Sequence, residues 1–329
     1  MPGLLGKQIG STGFGLMGLT TRTPPVPVEQ AIQTMRAALE CGCTFWNAGE
    51  HYGTPEWNTQ TLLAEYFRRY PEDAQNIVLS VKGAFDFDTM QPDGSLNGIK
   101  RSINKILKDL DGTKKIDIFE CARVDHKTPL EVTLKYLNDE YVRKGIIGGI
   151  GLSEVGAATI HRAAKISRIV SVEVELSLWS THVLENGVAA ACAELHIPIV
   201  AYSPIGQGML AGKFKSLDDL PEGDLRRGYP RFQPENFAIN LQLVGQLELL
   251  AEEKQCRAPQ LALSWIRGLS RRKGVPLIIP IPGATTEARV RENAVEVDLT
   301  DEDLSKIDNI LSKFTVAGGR YPVGIPTDD

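Results

Sequence analysis

The spacing of hydrophobic positions alternates along the chain between short apolar runs and longer stretches with helical periodicity. The apolar runs predict strands near 11–19 and at 44–49, 76–83, 115–122, 146–153, 169–177, 197–204 and 276–283. Helical periodicity predicts helices at 28–41, 56–69, 97–109, 128–145, 155–165, 184–195, 239–254, 259–271 and 285–294. Strands that are joined through helices must run parallel. Eight such units without a break in composition predict an α/β fold, a single (β/α)8 TIM barrel over 1–329.

Local signals refine this architecture. No G-x-G-x-x-G motif lies between the first strand and the first helix, which disfavours an open dinucleotide-binding sheet. Thr128 is the predicted N-cap of the fourth helix, followed by Pro129 in the first turn. The connection 206–240 after the seventh strand is long, and such segments are usually lids or binding loops. The Gly- and Pro-rich segment 313–329 either crosses the barrel or is mobile.

Composition and charge narrow the class of protein. A net charge of -5 without a basic run weighs against nucleic acid or an anionic membrane as partner. We expect neither a signal peptide nor a membrane span. The five cysteines include one C-x-C pair without a second pair, which indicates reduced thiols rather than a metal site. A cytoplasmic protein is the expectation, with the oligomeric state open.

Candidate chemistry lies where strands end, because a barrel builds its site at the carboxyl ends of its strands. The second strand ends at Asn47, with Tyr52 five residues later, and the third ends near Lys82. A lysine beside a tyrosine favours tyrosinate and lowers the tyrosine pKa, which makes the phenol a better proton donor. Each residue alone has an ordinary alternative: a packing aromatic for Tyr52 and a lysine reaching solvent for Lys82.

The last two units suggest an anion site. The helix of the eighth unit, 285–294, begins with "PGATTEARVREN", which combines backbone amides, two hydroxyls and Arg289. The alternative is an ordinary helix capped by Thr285. The loop "SPIGQG" after the seventh strand contains glycines that would allow it to cover a diphosphate.

These motifs together resemble those of the aldo-keto reductases over nearly the whole chain. The segments that carry the resemblance, in the family's order, are "NAGEHYG", the strand "LSVKG", "GLSE", "VEVELSL", "AYSPIGQG" and "IPGATTEARVREN". Within the family the chain is most similar to fungal pyridoxal reductases. That closer similarity rests on "GFGLMGLT", "TKKIDIFECARVD" and "VEVELSLWS".

The resemblance implies a barrel that binds NADPH across its mouth and reduces an aldehyde or ketone. It implies that Tyr52 is the general acid, that Lys82 depresses its pKa, and that Tyr202 stacks on the nicotinamide. The positions implied to hold the carboxamide are Ser153, Glu154 and Glu173. Two of these are normally amides, and a carboxylate accepts hydrogen bonds from the carboxamide but cannot donate to it.

The resemblance also assigns the rest of the cofactor. The residues implied for the diphosphate are Ser203, Ile205, Gly206 and Gly208. Those implied for the adenosine end are Gly283, Thr285, Thr286, Arg289, Glu292 and Asn293. Arg289 as partner of a 2′-phosphate favours NADPH over NADH, although the family often has a lysine where this chain has Gly283.

Two catalytic positions depart from the family pattern. The family's aspartate is Asn47, which keeps an acceptor for Lys82 but not the charge, and its histidine is Ala122. We hypothesise that Glu120, one layer deeper on the same strand face, supplies the missing negative charge. The alternative is that Glu120 pairs elsewhere.

Other polar residues lie near the mouth. His51 and Arg123 are candidates for substrate contact, although an exposed loop histidine is the simpler interpretation of His51. An apolar substrate pocket or ordinary core packing would equally explain the large side chains Phe14, Met17, Trp46, Trp57, Trp179 and Phe232.

Three functions compete. The first is NADPH-dependent reduction of pyridoxal or another small aromatic aldehyde. The second is a nucleotide-binding sensor or interaction module with weak turnover, which Asn47 and Ala122 would favour. The third, a metal-dependent barrel hydrolase, lacks an H-x-H or a clustered carboxylate-histidine set at the strand ends.

Overall fold

Eight parallel strands form the centre of the molecule, which is a computed structural model that describes residues 3–322. A hairpin of β1 (Gly3–Leu4) and β2 (Lys7–Gln8) precedes them, and a second hairpin, β6 (Phe85–Asp86) and β7 (Gln91–Pro92), follows the third barrel strand. The barrel strands are β3 (Phe14–Gly15), β4 (Phe45–Gly49), β5 (Val78–Gly83), β8 (Ile116–Cys121), β9 (Ile147–Ser153), β10 (Ile169–Glu175), β11 (Ile199–Tyr202) and β12 (Ile278–Pro280). They pair in that order, and a parallel bridge between Gly15 and Gly283 joins the two edges. The predicted (β/α)8 barrel is confirmed.

Helices connect the strands and cover the outside of the barrel. They are α1 (Met17–Thr20), α2 (Val28–Glu40), α3 (Thr59–Arg69), α4 (Leu96–Leu110), α5 (Leu130–Tyr136), α6 (Ala157–Ala164), α7 (Val188–Glu194), α8 (Pro234–Glu253), α9 (Ala258–Leu269), α10 (Glu287–Ala294) and α11 (Asp301–Ser312). The long connection between β11 and α8 contains short 3-10 turns. Within residues 3–322, no helix combines the length and the apolar character that a membrane crossing requires.

Side chains alternate between the two faces of each strand, and the two faces contribute to two separate hydrophobic cores. Phe45, Val78 and Ile118 belong to a small cluster inside the barrel, whereas Trp46 and Phe119 belong to the large cluster between strands and helices. Two residues further along, the inward positions become polar. The interior therefore has an apolar floor and a polar layer above it, at the carboxyl ends of the strands.

The structure corrects four details of the sequence prediction. The first strand covers only Phe14–Gly15, and α5 ends in a π-helical segment at Leu137–Val142. Thr128 is not the N-cap of α5: Pro129 holds that position without a side-chain cap, and the Thr128 hydroxyl bonds Asp125 instead. Helix α10 is capped by Thr286, which accepts from the Arg289 amide, rather than by Thr285.

Candidate active site

Asn47, Lys82 and Glu173 form a buried hydrogen-bonded triangle in the polar layer. Lys82 Nζ donates to Asn47 Oδ1 at 2.8 Å and to Glu173 Oε1 at 2.7 Å. Asn47 Nδ2 donates to Glu173 Oε2 at 2.6 Å. Lys82 and Glu173 are 5% and 3% exposed. Asn47 accepts from Lys82, as the sequence led us to expect, but the negative charge of the triangle comes from Glu173.

Tyr52 lies over this triangle. Its ring centroid is 5.5 Å from Lys82 Nζ. The backbone of the turn is fixed, since Tyr52 O accepts from Thr20 Oγ1 at 2.9 Å and from the Thr59 amide at 3.0 Å. Burial raises the pKa of Tyr52 above its usual range, while Lys82 acts in the opposite direction. Lys82 therefore acts with the predicted sign, but burial outweighs it and the phenol holds its proton.

Glu120 does not take the place that we expected for it. It is paired in register with Lys82 on the neighbouring strand, yet its Oε1 accepts from Ser80 Oγ at 2.7 Å and its buried Oε2 has no hydrogen-bond partner among the described residues. Burial and the nearby Glu173 carboxylate raise the pKa of Glu120 well above its usual range. Glu173, on a strand across the barrel, reaches Lys82 directly, so Glu120 does not supply the ion pair.

His51 lies beside the tyrosine, and Ala122 and Arg123 follow the end of β8. The His51 ring centroid is 4.6 Å from that of Tyr52. Burial lowers the pKa of His51 to about 3, with Lys82 and Arg123 contributing in the same direction. His51 is therefore not a simple exposed histidine but a neutral, half-buried imidazole. Ala122 is buried, and Arg123 Nη1 donates to its carbonyl at 2.7 Å.

The predicted nicotinamide positions contact the C-terminal segment. Ser153 ends β9, and Glu154 follows it with a left-handed φ of 52° and accepts from the Glu175 amide at 3.1 Å. Arg320 Nη2 donates to Glu154 Oε2 at 2.7 Å and to the Tyr202 hydroxyl at 3.3 Å. The Tyr202 hydroxyl also bonds that of Tyr321. Residues 313–322 therefore cross the barrel mouth, and 323–329 lie outside the described residues.

The loop after β11 contains consecutive left-handed residues. Ser203 has φ 48°, and Gly206, Gln207 and Gly208 have φ of 54°, 55° and 93°. Such a run turns successive backbone amides toward one side. Arg226 Nη1 donates to Gln207 O at 2.8 Å. Within the loop the Gly206 amide donates to Ser203 O at 2.9 Å and the Gly208 amide to Ile205 O at 3.0 Å, so these hydrogen bonds hold the turn beside the Arg226 cation.

Polar side chains at the start of α10 form a compact cluster. Arg289 Nη1 donates to Glu292 Oε2 at 2.5 Å, and Arg257 Nε lies 2.9 Å from Glu292 Oε1. Gln30 Nε2 donates to Thr285 O at 2.6 Å, and Asn293 is buried. Gly283 forms the bridge that closes the barrel, which gives it a structural role as well.

Sequence reasoning missed Arg320, Tyr321, Arg226 and Arg257. None of them comes directly after a barrel strand, so only the contacts between distant segments of the chain show that they lie at the site.

Of the proposed pocket residues, Phe14 and Trp46 pack edge to face with centroids 6.2 Å apart in the large core. Trp179 and Phe232 are buried together in the same way, at 5.6 Å. Met17 is 46% exposed, and Trp57 packs at the core margin.

Comparison with known proteins gives one consistent result. The model of the aldo/keto reductase family matches residues 11–312. Probable pyridoxal reductase 2 of Schizosaccharomyces pombe is 41% identical, with 98% of this chain and 97% of the relative aligned. A putative pyridoxal reductase of Saccharomyces cerevisiae is 37% identical, with 94% and 95% aligned.

Solved structures support the same fold. The glycerol dehydrogenase AKR11B4 of Gluconobacter oxydans superposes with a TM-score of 0.81 at 20% identity, over 97% of this chain and 96% of that one. The thermostable aldo-keto reductase Tm1743 gives 0.71 at 21% identity, over 94% and 98%. At these identities the likeness concerns the barrel alone.

Proposed function

The chain belongs to the aldo/keto reductase family, and from that premise we propose that it uses NADPH to reduce a small aromatic aldehyde, with pyridoxal as the first candidate. The observation that carries the proposal is the position of Tyr52 over Lys82, at 5.5 Å from ring centroid to Nζ. The two curated relatives described above carry pyridoxal reductase in their names, which motivates the choice of substrate.

Tyr52 is the proposed general acid. The phenol donates its proton to the carbonyl oxygen as the carbonyl carbon receives hydride, and Lys82 stabilises the tyrosinate that results. Bound NADPH would supply the hydride. One such proton-transfer contact is worth roughly 10²–10⁴ in rate. The phenol is protonated at neutral pH, and Lys82, which opposes the rise that burial imposes on the pKa of Tyr52, is the group that favours release of the proton.

His51 is the proposed substitute for the histidine that Ala122 replaces. Its ring lies beside Tyr52, and its low pKa keeps it neutral. A neutral imidazole has one N–H donor and one acceptor nitrogen. It can therefore orient a carbonyl oxygen by hydrogen bonding without acting as an acid.

The residues present fit an extended dinucleotide. The glycine turn Gly206–Gly208 lies beside the cation of Arg226 and is the proposed position of the diphosphate. At the start of α10, Arg289 and Arg257 converge on Glu292, where a 2′-phosphate would find two guanidinium groups. NADPH over NADH is accordingly part of the proposal, and Arg289→Ala should weaken the binding of NADPH more than that of NADH.

The test is NADPH oxidation with pyridoxal and a panel of aromatic aldehydes, beside Tyr52→Phe. We expect turnover in the wild type and a loss of roughly 10²-fold or more in the variant. Tyr136→Phe, at a half-buried tyrosine on α5, serves as the matched control and should leave turnover unchanged. Tight NADPH binding without oxidation on any carbonyl would refute the reductase and favour the nucleotide-binding module.

A further inference from the structure

The C-terminal segment is anchored firmly over the barrel mouth. Asn240, fully buried in α8, donates through Nδ2 to Ala317 O at 2.9 Å and accepts from the Ala317 amide at 2.8 Å. Gly318 follows with φ 87°, and a Cβ there would approach backbone atoms of Pro230 and Arg231 to within 2.9 Å. The turn therefore needs glycine, and it directs Arg320 into the mouth.

Arg320 joins two buried carboxylates to Tyr202. Its Nε donates to Glu175 Oε2 and its Nη2 to Glu154 Oε2, each at 2.7 Å. The carboxylates are 1% and 2% exposed and Arg320 is 12% exposed. Arg231 also approaches Glu175, at 3.9 Å, whereas among residues 3–322 the ion pairs of Glu154 involve Arg320 alone. Arg320 is thus the direct ion-pair partner of Glu154, and the more distant guanidinium of Arg123 adds to the positive field there.

We propose that Arg320 sets the preference of this site for the reduced over the oxidised nicotinamide cofactor. The inference rests on the proposed function, in which Glu154 and Tyr202 lie at the nicotinamide. The oxidised ring is a cation and the reduced ring is neutral. Uncompensated carboxylates beside the ring would stabilise the cation and retain the oxidised product. Arg320 offsets that attraction, because its positive charge lies 2.7 Å from an oxygen of each carboxylate.

This role and a merely structural one predict different changes in the affinities for the two forms of the cofactor. Loss of a structural contact weakens both forms of the cofactor alike. Loss of a nearby positive charge favours binding of the cationic form specifically, because two unit charges a few ångströms apart repel each other strongly in a partly dehydrated site. The ratio of the two dissociation constants therefore reports the proposed effect and is insensitive to a general loosening of the segment.

The experiment measures the dissociation constants of NADP+ and NADPH by fluorescence titration at one ionic strength. In Arg320→Gln we expect the ratio Kd(NADP+)/Kd(NADPH) to fall by roughly tenfold. Arg320→Lys keeps the charge and should stay near the wild-type ratio. Arg272→Gln removes a half-buried arginine that pairs with Asp308 and should leave the ratio unchanged. Adding Glu154→Gln to Arg320→Gln should return the ratio toward wild type.

Two results would overturn the inference while leaving the reductase intact. An unchanged ratio in Arg320→Gln would assign Arg320 to structure alone. Tighter binding of both cofactors would mean that the segment obstructs the site rather than tuning it. Failure of the wild-type protein to bind either dinucleotide would instead refute the proposed function, and the inference would fall with it. Thermal unfolding of each variant verifies that the segment change has not unfolded the barrel.

Discussion

At the scale of single residues, the site depends on which carboxylate pairs with the buried ammonium group of Lys82. Lys82 and Glu173 are almost inaccessible to water and form a direct ion pair at 2.7 Å. Removing one partner of such a pair typically costs about 3–5 kcal/mol, because the other charge is left buried and unpaired. Asn47 completes the arrangement by bonding both partners. The amide is thus adapted to Glu173 and is not a damaged aspartate.

That interpretation predicts the outcome of Asn47→Asp, which restores the family's usual residue. The aspartate cannot donate to Glu173 Oε2, where Asn47 Nδ2 now donates at 2.6 Å, and it places a second carboxylate against the first. We expect a loss of about 1–3 kcal/mol in the free energy of unfolding and no gain in turnover. Urea denaturation and kcat measure the two effects.

The control for this change is Asn309→Asp on the exposed face of α11. It should alter the free energy of unfolding by no more than about 0.5 kcal/mol. Unchanged stability of Asn47→Asp, or faster turnover, would contradict the role given to Glu173.

His51 gives a pH-dependent prediction. Its pKa is about 3 in the folded protein, whereas an unfolded histidine titrates near 6.5. Between these values the unfolded chain binds the extra proton, so stability is lost as the pH falls through this window. His51→Gln removes the effect. We expect the variant to gain stability relative to wild type between pH 6.5 and pH 4, measured by urea midpoints. A constant difference across that range would mean that His51 is protonated in the folded protein.

At the scale of elements, the start of α3 fixes the turn that carries Tyr52. Asn58 caps the helix by accepting from the Gln60 and Thr61 amides, and its Nδ2 donates to Asp109 at 3.0 Å. The next residue, Thr59, bonds the backbone at both Gly49 and Tyr52. A loosened cap therefore disturbs the tyrosine as well as the helix.

Asn58→Ala tests this coupling. We expect a loss of about 1–2 kcal/mol in stability, as for other N-cap removals, together with reduced kcat because the Tyr52 turn is less well positioned. Thr300→Ala removes the equivalent cap of α11, far along the chain. It should cost similar stability without affecting kcat. Equal kcat in the two variants would show that the cap and the tyrosine are independent.

At the scale of the whole molecule, the barrel closes through glycine. Gly15 and Gly283 form the bridge between β3 and the segment that follows β12, and a Cβ on Gly15 would lie 2.9 Å from the carbonyl oxygen of Ile281. Both strands are short, so few ladder hydrogen bonds are available to absorb a shift. The closing seam is therefore the part of the barrel most sensitive to added volume.

Gly15→Ala should accordingly destabilise the protein by about 1–3 kcal/mol, the usual cost of overpacking. Gly245→Ala is the matched control: it lies within α8, and a Cβ added there would meet no atom within 4 Å. Alanine in a helix interior should stabilise the protein by about 0.5–1 kcal/mol relative to glycine. Calorimetric unfolding compares the two variants. Equal effects of the two substitutions would refute the steric account of the seam.

Periodicity along the chain was sufficient to predict the barrel, since strands and helices are set by neighbouring residues and their alternation. The same reasoning located Asn47 and Lys82, because consecutive barrel strands end side by side. It chose Glu120 as the counter-ion because that residue lies on the inward face of a nearby strand, where it is the register partner of Lys82. Sequence order reveals neighbours around the barrel but not contacts across it.

The tertiary structure decided what lies across the barrel. Closure brings β10 opposite β4 and β5, so Glu173 reaches Lys82 and Asn47 while Glu120 remains with Ser80. The C-terminal segment likewise delivers Arg320 to Glu154, 166 residues earlier in the chain. Such contacts follow from the curvature of the closed sheet and the anchoring of a distant segment, neither of which is encoded in local spacing. The sequence by itself determined the scaffold and the tyrosine-lysine pair, and the closed barrel determined the charges around them.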